Sequence, residues 1–430
     1  MNTDVDVAII GGGPNGAVAA ALLACHSGIA AERIALIAPE LAPDATSLQG
    51  RGADVDIHTL PQALRVAAIS RASEMVLHNA QAWARLPQER LCAYQCMRVW
   101  HESVPSDGPE ALVFSAAELA EANLGYIVEN RALSGAGLAS FTAQGGQVLG
   151  VRVLGLQSQE NAVRLQTSAA PISARLVIGA DGAQSQVREF LKIALRTHDY
   201  RQSAVVANIA TARPHQHTAW QRFLGSGPLA LLPLFDGCSS IVWSAHQALA
   251  EELMSLPAVE FARRLDAASD GVLGTTRLLS ERLAVPLRRA TAATMIGPRV
   301  ALVGDAAHVV HPLAGQGVNL GFLDAAALCE VLAVGTAERE DPGAARLLNR
   351  YEQRRLTHDT LMSWSMSAFN ELFARGRGPG GWLAARLLGL AGATGLARRS
   401  FARQALGLSG ELPALARRVT GSPSVRTGTC

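Results

Sequence analysis

Val5-Asp6-Val7-Ala8-Ile9-Ile10-Gly11-Gly12-Gly13-Pro14-Asn15-Gly16 is a short apolar run that ends in glycine. Such a run predicts a strand buried on both faces, as in a parallel sheet. Ala17 to Cys25, rich in Ala and Leu, predicts a helix packed closely on that strand, and Arg33 to Ala38 (RIALIA) predicts a second strand. Strand, helix and strand within about 35 residues is the size of one crossover unit. Gly11-x-Gly13-x-x-Gly16 lies at its turn. There glycines permit the tight turn and let backbone approach a pyrophosphate at the positive helix N-terminus. A glycine-rich turn alone would look the same. Its place directly after a buried strand points to a dinucleotide. The acidic residue expected at the end of the second strand, for the ribose hydroxyls, is missing; Ala38-Pro39 stand there, with Glu40 as the candidate replacement.

Working outward, Val151–Leu154, Val163–Gln166 and Leu176–Ile178 predict strands, as do Ala204–Thr211 and Ile241–Ser244. The last two suggest an antiparallel sheet in a second domain. Ala67–Leu86 reads as a helix, Leu48–Leu60 as a loop, Arg299–Val303 as another buried strand and Val318–Val334 as a long helix. Beyond Asp341-Pro342 the pattern is helical to Phe373, and Gly376–Gly381 forms a glycine-rich hinge before a C-terminal tail.

Two further strand-terminal motifs follow the first. Leu176-Val177-Ile178-Gly179-Ala180-Asp181-Gly182 runs on to Arg188. Ala301-Leu302-Val303-Gly304-Asp305-Ala306-Ala307-His308 precedes His311-Pro312-Leu313-Ala314-Gly315-Gln316-Gly317-Val318-Asn319-Leu320-Gly321. A carboxylate at the end of a buried strand can accept from ribose hydroxyls, and a glycine-rich helix start offers N–H groups to an anion or a flavin edge. Each could singly be a structural turn. Three in this order are hard to explain that way.

The order GxGxxG, GADG…R, GDAAH…PxxGQGxNxG resembles the FAD-dependent aromatic hydroxylases with the para-hydroxybenzoate hydroxylase fold. Leu124–Asn130, Gly227–Leu234, His308–Gly317 and Arg403–Gly407 resemble more narrowly the ubiquinone-biosynthesis hydroxylases. The likeness runs from about Val5 to about Leu415. It implies an α/β (mixed α+β) architecture: a Rossmann-like FAD-binding domain (1–75, 100–185, 285–375) interleaved with a β-sheet substrate domain (76–99, 186–284), then C-terminal helices in a tail (376–430).

Position by position, the resemblance places Gly11, Gly13, Pro14, Asn15 and Gly16 around the FAD pyrophosphate. Arg65 contacts FAD, Asp181 belongs to a motif serving FAD and the pyridine nucleotide, and Gly304-Asp305 meets the ribityl or pyrophosphate region. Pro312, Gly315, Gln316, Gly317, Val318 and Asn319 line the isoalloxazine. His101 after Val99-Trp100, where the subgroup often has Asp, is a departure without interpretation. The implied reaction is hydroxylation of a polyprenylated phenol in ubiquinone biosynthesis, with FAD reduced by NAD(P)H and O2 captured as a C4a-hydroperoxyflavin. Much of that power is the cofactor's own. His308, His311 and Pro312 flank the expected flavin, and for the two histidines a structural role is the expectation; no residue is assigned as catalytic. A same-fold hydroxylase or epoxidase of another substrate, and a flavin-binding scaffold in a quinone-synthesis complex, are the alternatives. No second GxGxxG for a nicotinamide domain is recognisable.

Composition narrows the function classes. The 430 residues are 49% hydrophobic and 17% charged, which excludes disorder as the main state, and a formal net charge of +2 argues against a nucleic-acid binder. From Arg375 onward there are nine Arg against one acid, Glu411, so the tail is locally basic. Within it Leu383, Leu387 and Leu390 recur at helical spacing beside Trp382 and Arg386, the ingredients of an interfacial helix. The same stripe could pack on the catalytic body. Peripheral contact with the inner face of the membrane, or with a quinone-synthesis complex, is the expectation in an otherwise cytoplasmic protein. Val7–Ala31 lacks charge but is broken by its glycines, so it is not read as a membrane span, and Asp4 and Asp6 argue against a signal peptide. The six cysteines are scattered, which predicts free thiols and no metal site.

Overall fold

The computed structural model describes residues 4–39, 65–310, 317–355 and 411–417. Its first sheet has eight strands. Val300–Leu302, Ile172–Gly179, Val5–Ile10, Ile34–Ile37 and Gln147–Leu149 run parallel in that order. Ile296–Gly297 extends one edge antiparallel, and Val163–Thr167 with Val153–Ser158 forms an antiparallel arm on Ile172–Gly179. Helix α1 (Pro14–His26) carries the chain from the first strand to its neighbour, as the opening stretch predicts. It is apolar on nearly all sides because the sheet, α3 (Asn130–Ala143) and α7 (Gly317–Ala337) cover it. The strand core Val7, Ala8, Ile9, Ile34, Leu36, Val177 and Ile178 is wholly buried, each large side chain contributing roughly 1.5–3 kcal/mol.

A nine-stranded sheet holds the expected strands of the second domain. Its path is His308–Val309, Leu283–Ala292, Leu195–Thr211, Ser239–His246, Gly227–Pro233, Thr218–Leu224, Cys96–His101 and Leu112–Ser115, with Thr276–Leu278 on the long third strand. A short helix, α4 (Gln186–Phe190), capped by Ser185, leads into this sheet, and two amphipathic helices, α5 (Gln247–Ser255) and α6 (Ala258–Ala268), cover one face through Leu253, Phe261 and Leu265. A small sheet of Val66–Ile69, Gly125–Glu129 and Cys92–Tyr94 packs on the other face.

Several expectations are corrected. Ala67–Leu86 is not one helix. Val66–Ile69 pairs as a strand, and Ser70 then caps α2 (Arg71–Asn79) by accepting the Ser73 N–H, so a strand and a helix abut where one apolar period was read. The expected domain boundaries also cut across sheet membership. Trp100, His101 and residues 112–115, expected with the first domain, pair into the nine-stranded sheet, whereas Val76 and Leu77 of α2, expected with the second, are buried in the first core. The long strand begins at Leu195, nine residues before the expected start. Cys25, Cys92, Cys238 and Cys329 are free thiols, whereas Cys96 is disulfide-bonded, against the expectation.

By length and composition α7 could cross a membrane, with mean hydropathy 1.6, but 72% of its apolar window is buried against the body. It is the core helix of the first layer. Residues 48–60, the tail helices of 376–410 and the helical pattern beyond 355 lie outside the described residues.

Candidate active site

The three motifs, far apart in sequence, converge on one edge. Gly11, Ala180 and Gly304 each follow the C-terminal end of a parallel strand, and the three strands are neighbours in the sheet. Backbone bonds lock the turns together: Ala180 N–H donates to Ile10 O at 2.8 Å, and Val303 N–H donates to Gly179 O at 2.9 Å. In open α/β sheets this edge is where ligands bind.

Gly11 has φ +116°, and any side chain on it would collide with the Ala180 carbonyl. It lets the first and second motifs touch. Gly13 caps α1 with no side-chain hydrogen bond, Pro14 occupies the first turn, and no acid lies there. A Cβ on Gly13 would meet nothing within 4 Å. The helix therefore presents uncapped N–H groups and its positive end to open space.

The second motif is pinned from behind. Asp181 Oδ2 accepts the Val187 N–H at 3.1 Å, while its Oδ1 is buried without a hydrogen-bond partner. Arg188, itself buried, donates to the Ala183 carbonyl and to the Ala306 carbonyl, each at 2.9 Å, so it ties the second motif to the third.

In the third motif Gly304 has φ +62°, and the Asn15 side-chain amide fills the space a Cβ would need at both Gly304 and Gly321 of α7. One amide thus knits the first motif, the third motif and α7. Burial pushes the Asp305 carboxyl up from its ordinary value, with His308 and Arg65 pulling it back down. Behind it stands Asp324, fully buried on α7. Its Oδ2 takes the Gly304 N–H at 2.9 Å and lies 2.7 Å from His308 Nε2; its Oδ1 takes Arg355 Nε at 2.6 Å. Burial alone would raise this carboxyl, but His308 and Arg355 outweigh it and hold the group ionised. At the start of α7, Asn319 accepts the Ser70 N–H at 2.9 Å and donates to the Ala68 carbonyl at 2.8 Å, which fastens α7 to the small sheet.

Of the expected site residues, Gly11, Gly13, Pro14, Asn15, Gly16, Asp181, Gly304 and Asp305 stand together on this edge. Arg65 precedes the small sheet, close enough for its charge to act on Asp305. Gly317, Val318 and Asn319 open α7. Glu40, His311, Pro312, Gly315 and Gln316 lie outside the described residues. Asp324 and Arg355 escape a motif reading, since each looks like one more helical charge until the fold buries them as a pair. Chemically the edge suits a ligand that brings anionic oxygens to the α1 N-terminus and hydroxyls to the unpaired Asp181 oxygen. A dinucleotide with ribose hydroxyls has both, so the residues fit FAD.

Comparison with known proteins decides the family. Residues 144–363 match the family model described as FAD binding domain (FAD_binding_3). The 3-demethoxyubiquinol 3-hydroxylase of Escherichia coli (strain K12) is 33% identical over 412 residues, covering 95% of this chain and all of that protein. Ubiquinone hydroxylase UbiL of Rhodospirillum rubrum is 35% identical over 421 residues, covering 96% and 93%. The chain belongs to the FAD-dependent ubiquinone hydroxylases. The fold agrees: p-nitrophenol 4-monooxygenase PnpA from Pseudomonas putida DLL-E4 matches at TM-score 0.71 and 17% identity over 94% of this chain and 99% of that one. PqsL of Pseudomonas aeruginosa, in complex with 2-aminobenzoylacetate, matches at 0.68 and 22% over 89% and 99%. As a ubiquinone hydroxylase the chain is a flavoprotein monooxygenase.

Proposed function

We propose that this ubiquinone hydroxylase inserts one oxygen atom from O2 into the aromatic ring of a polyprenylated phenol on the way to ubiquinone, with NAD(P)H as reductant. The observation that carries the reading is the convergence of three strand-end motifs on one sheet edge, tied through Asn319 to Ala68 in the wall of a small apolar cavity between the small sheet and the nine-stranded sheet. Bound FAD supplies the redox chemistry, accepting a hydride equivalent and activating O2.

The protein's part is to bind, orient and exclude water. Gly11, Gly13, Pro14, Asn15 and Gly16 hold the pyrophosphate at the α1 N-terminus; Arg65, Asp181, Gly304 and Asp305 hold sugar and phosphate oxygens. Gly317, Val318 and Asn319, with Pro312, Gly315 and Gln316 by resemblance, flank the ring system. Asn319, clamped to Ala68 and Ser70, sets the distance between that segment and the cavity. The apolar walls keep water from the reactive oxygen.

In the same reading the eight-stranded sheet with its helices is the core of the cofactor domain, the nine-stranded sheet is the substrate domain, and the basic tail makes the peripheral membrane contact that a prenylated substrate calls for. The test is mass-spectrometric profiling of quinone intermediates in a deletion strain, with NAD(P)H oxidation by the purified protein stimulated by a prenylated phenol. An unaltered quinone profile together with no stimulation sinks the reading. Co-sedimentation with anionic liposomes, full-length against a chain ending near 378, tests the tail; equal binding by both refutes the membrane contact.

A further inference from the structure

The cavity lies between the small sheet and the nine-stranded sheet, and Ala68, whose carbonyl takes the Asn319 amide, is part of its wall. None of its nine lining residues is charged. Gln221 and Tyr94 are the polar side chains on this face; Trp220, the third lining residue with a polar atom, packs its indole, whose N–H is unpartnered, against the cluster on the opposite face of the sheet. Gln221 shares a strand face with Ala219 and stands in register with Ala230; both alanines belong to the apolar cluster on this side of the sheet. Gln221 is only 5% exposed and Tyr94 is half-buried; among the described residues neither side chain has a hydrogen bond, and the polar atoms of both are open to the cavity. A largely buried amide without a partner is uncommon and calls for an explanation.

We infer that Gln221 and Tyr94 read oxygen substituents on a neutral aromatic ring held in this cavity. The inference rests on the proposed function and adds to it the residues that choose the ring. Burial pushes the Tyr94 phenol up to about 12, so it remains a donor throughout the physiological range. The Gln221 amide offers both a donor and an acceptor. Together they suit hydroxyl, methoxyl or quinone oxygens. A ring carboxylate would meet no cation among the described wall residues, so these walls select against charged rings. As it stands the space holds roughly one water. Met97, unbranched and adaptable, is the wall side chain that yields as a ring enters.

The test uses the FAD-loaded protein and three short-prenyl probes: a 2-methoxyphenol, the same ring with methyl in place of methoxyl, and the 4-hydroxybenzoate analogue. Binding is read from perturbation of the flavin spectrum, and KM and kcat from stimulated NAD(P)H oxidation. Wild-type protein should prefer the methoxyl ring to the methyl ring, and bind the carboxylate ring weakest. Gln221→Leu, or Gln221→Met if the first variant does not hold FAD, should weaken the methoxyl ring about tenfold and raise KM more than it lowers kcat. The methyl ring should be nearly unaffected. Tyr94→Phe should lower affinity for every phenol several-fold. If all these variants keep the wild-type order and affinities, the assignment of Gln221 and Tyr94 is overturned while the proposed function stands. If no ring perturbs the wild-type flavin or stimulates turnover, the proposed function falls, and this inference with it.

Discussion

His308 Nε2 lies 2.7 Å from Asp324 Oδ2, and that same oxygen takes the Gly304 N–H, so one buried carboxylate holds both ends of the Gly304–His308 turn. Asp324 is fully buried and Arg355 almost so, which makes the pair costly to break and easy to probe.

Asp324→Ala leaves the Arg355 guanidinium buried without its carboxylate. The expected loss is about 3–5 kcal/mol of stability, measured by urea unfolding. Because the folded-state carboxyl sits below its ordinary 3.8, the wild-type contribution is present above that value and fades as pH falls through the lower one. Asp324→Asn should flatten that acid limb. An unchanged acid limb would show that the ion pair does not govern acid stability.

Asp305 has the opposite sign. Burial raises its folded-state value, so the folded protein binds more protons than the unfolded chain and stability falls as pH rises from 3.8 upward. Asp305→Asn should therefore raise the melting temperature of flavin-free protein at pH 7 and leave it little changed near pH 3. Asp305→Ala should weaken FAD retention by roughly 1–3 kcal/mol in a titration. Wild-type FAD affinity in that variant would make Asp305 merely structural.

Gly13 separates folding from binding. Its φ of −65° and ψ of 177° suit a branched residue, and nothing within 4 Å would clash with a new Cβ. Gly13→Val should give a folded, colourless protein, with the far-UV spectrum of wild type and no flavin bands after reconstitution. Retention of FAD at wild-type stoichiometry would move the phosphates elsewhere.

Gly321→Ala drives a methyl group into the Asn15 amide. The expected cost is about 1–3 kcal/mol, as for other overpacked sites. Asn15→Ala in the same chain should recover much of it, so a double-mutant cycle in chemical unfolding should show strong coupling. Additive losses would mean the two motifs are not packed through this contact.

The crossover unit was legible because its signals are local: an apolar run, glycines at a turn and an Ala-rich helix suffice within 35 residues. The Asp-bearing strand ends were legible as motifs for the same reason. The Val66–Ile69 strand was not, since Ala67 and Ile69 fit a helical stripe until pairing with Tyr126–Val128 decides otherwise. Nor was the place of Cys96–His101, whose neighbour in the nine-stranded sheet comes from Thr218–Phe223, or of Leu112–Ser115, which pairs on its other side.

By itself, then, the order of residues determined the strand–turn–helix units and the glycines and carboxylates at their ends, because backbone conformation there depends on near neighbours. Only the tertiary structure decided which strand ends meet, which helical charges become a buried pair at Asp324 and Arg355, and which polar side chains come to line the cavity at Gln221 and Tyr94. Those outcomes depend on what removes each group from water, and the atoms that do so come from parts of the chain tens to hundreds of residues away.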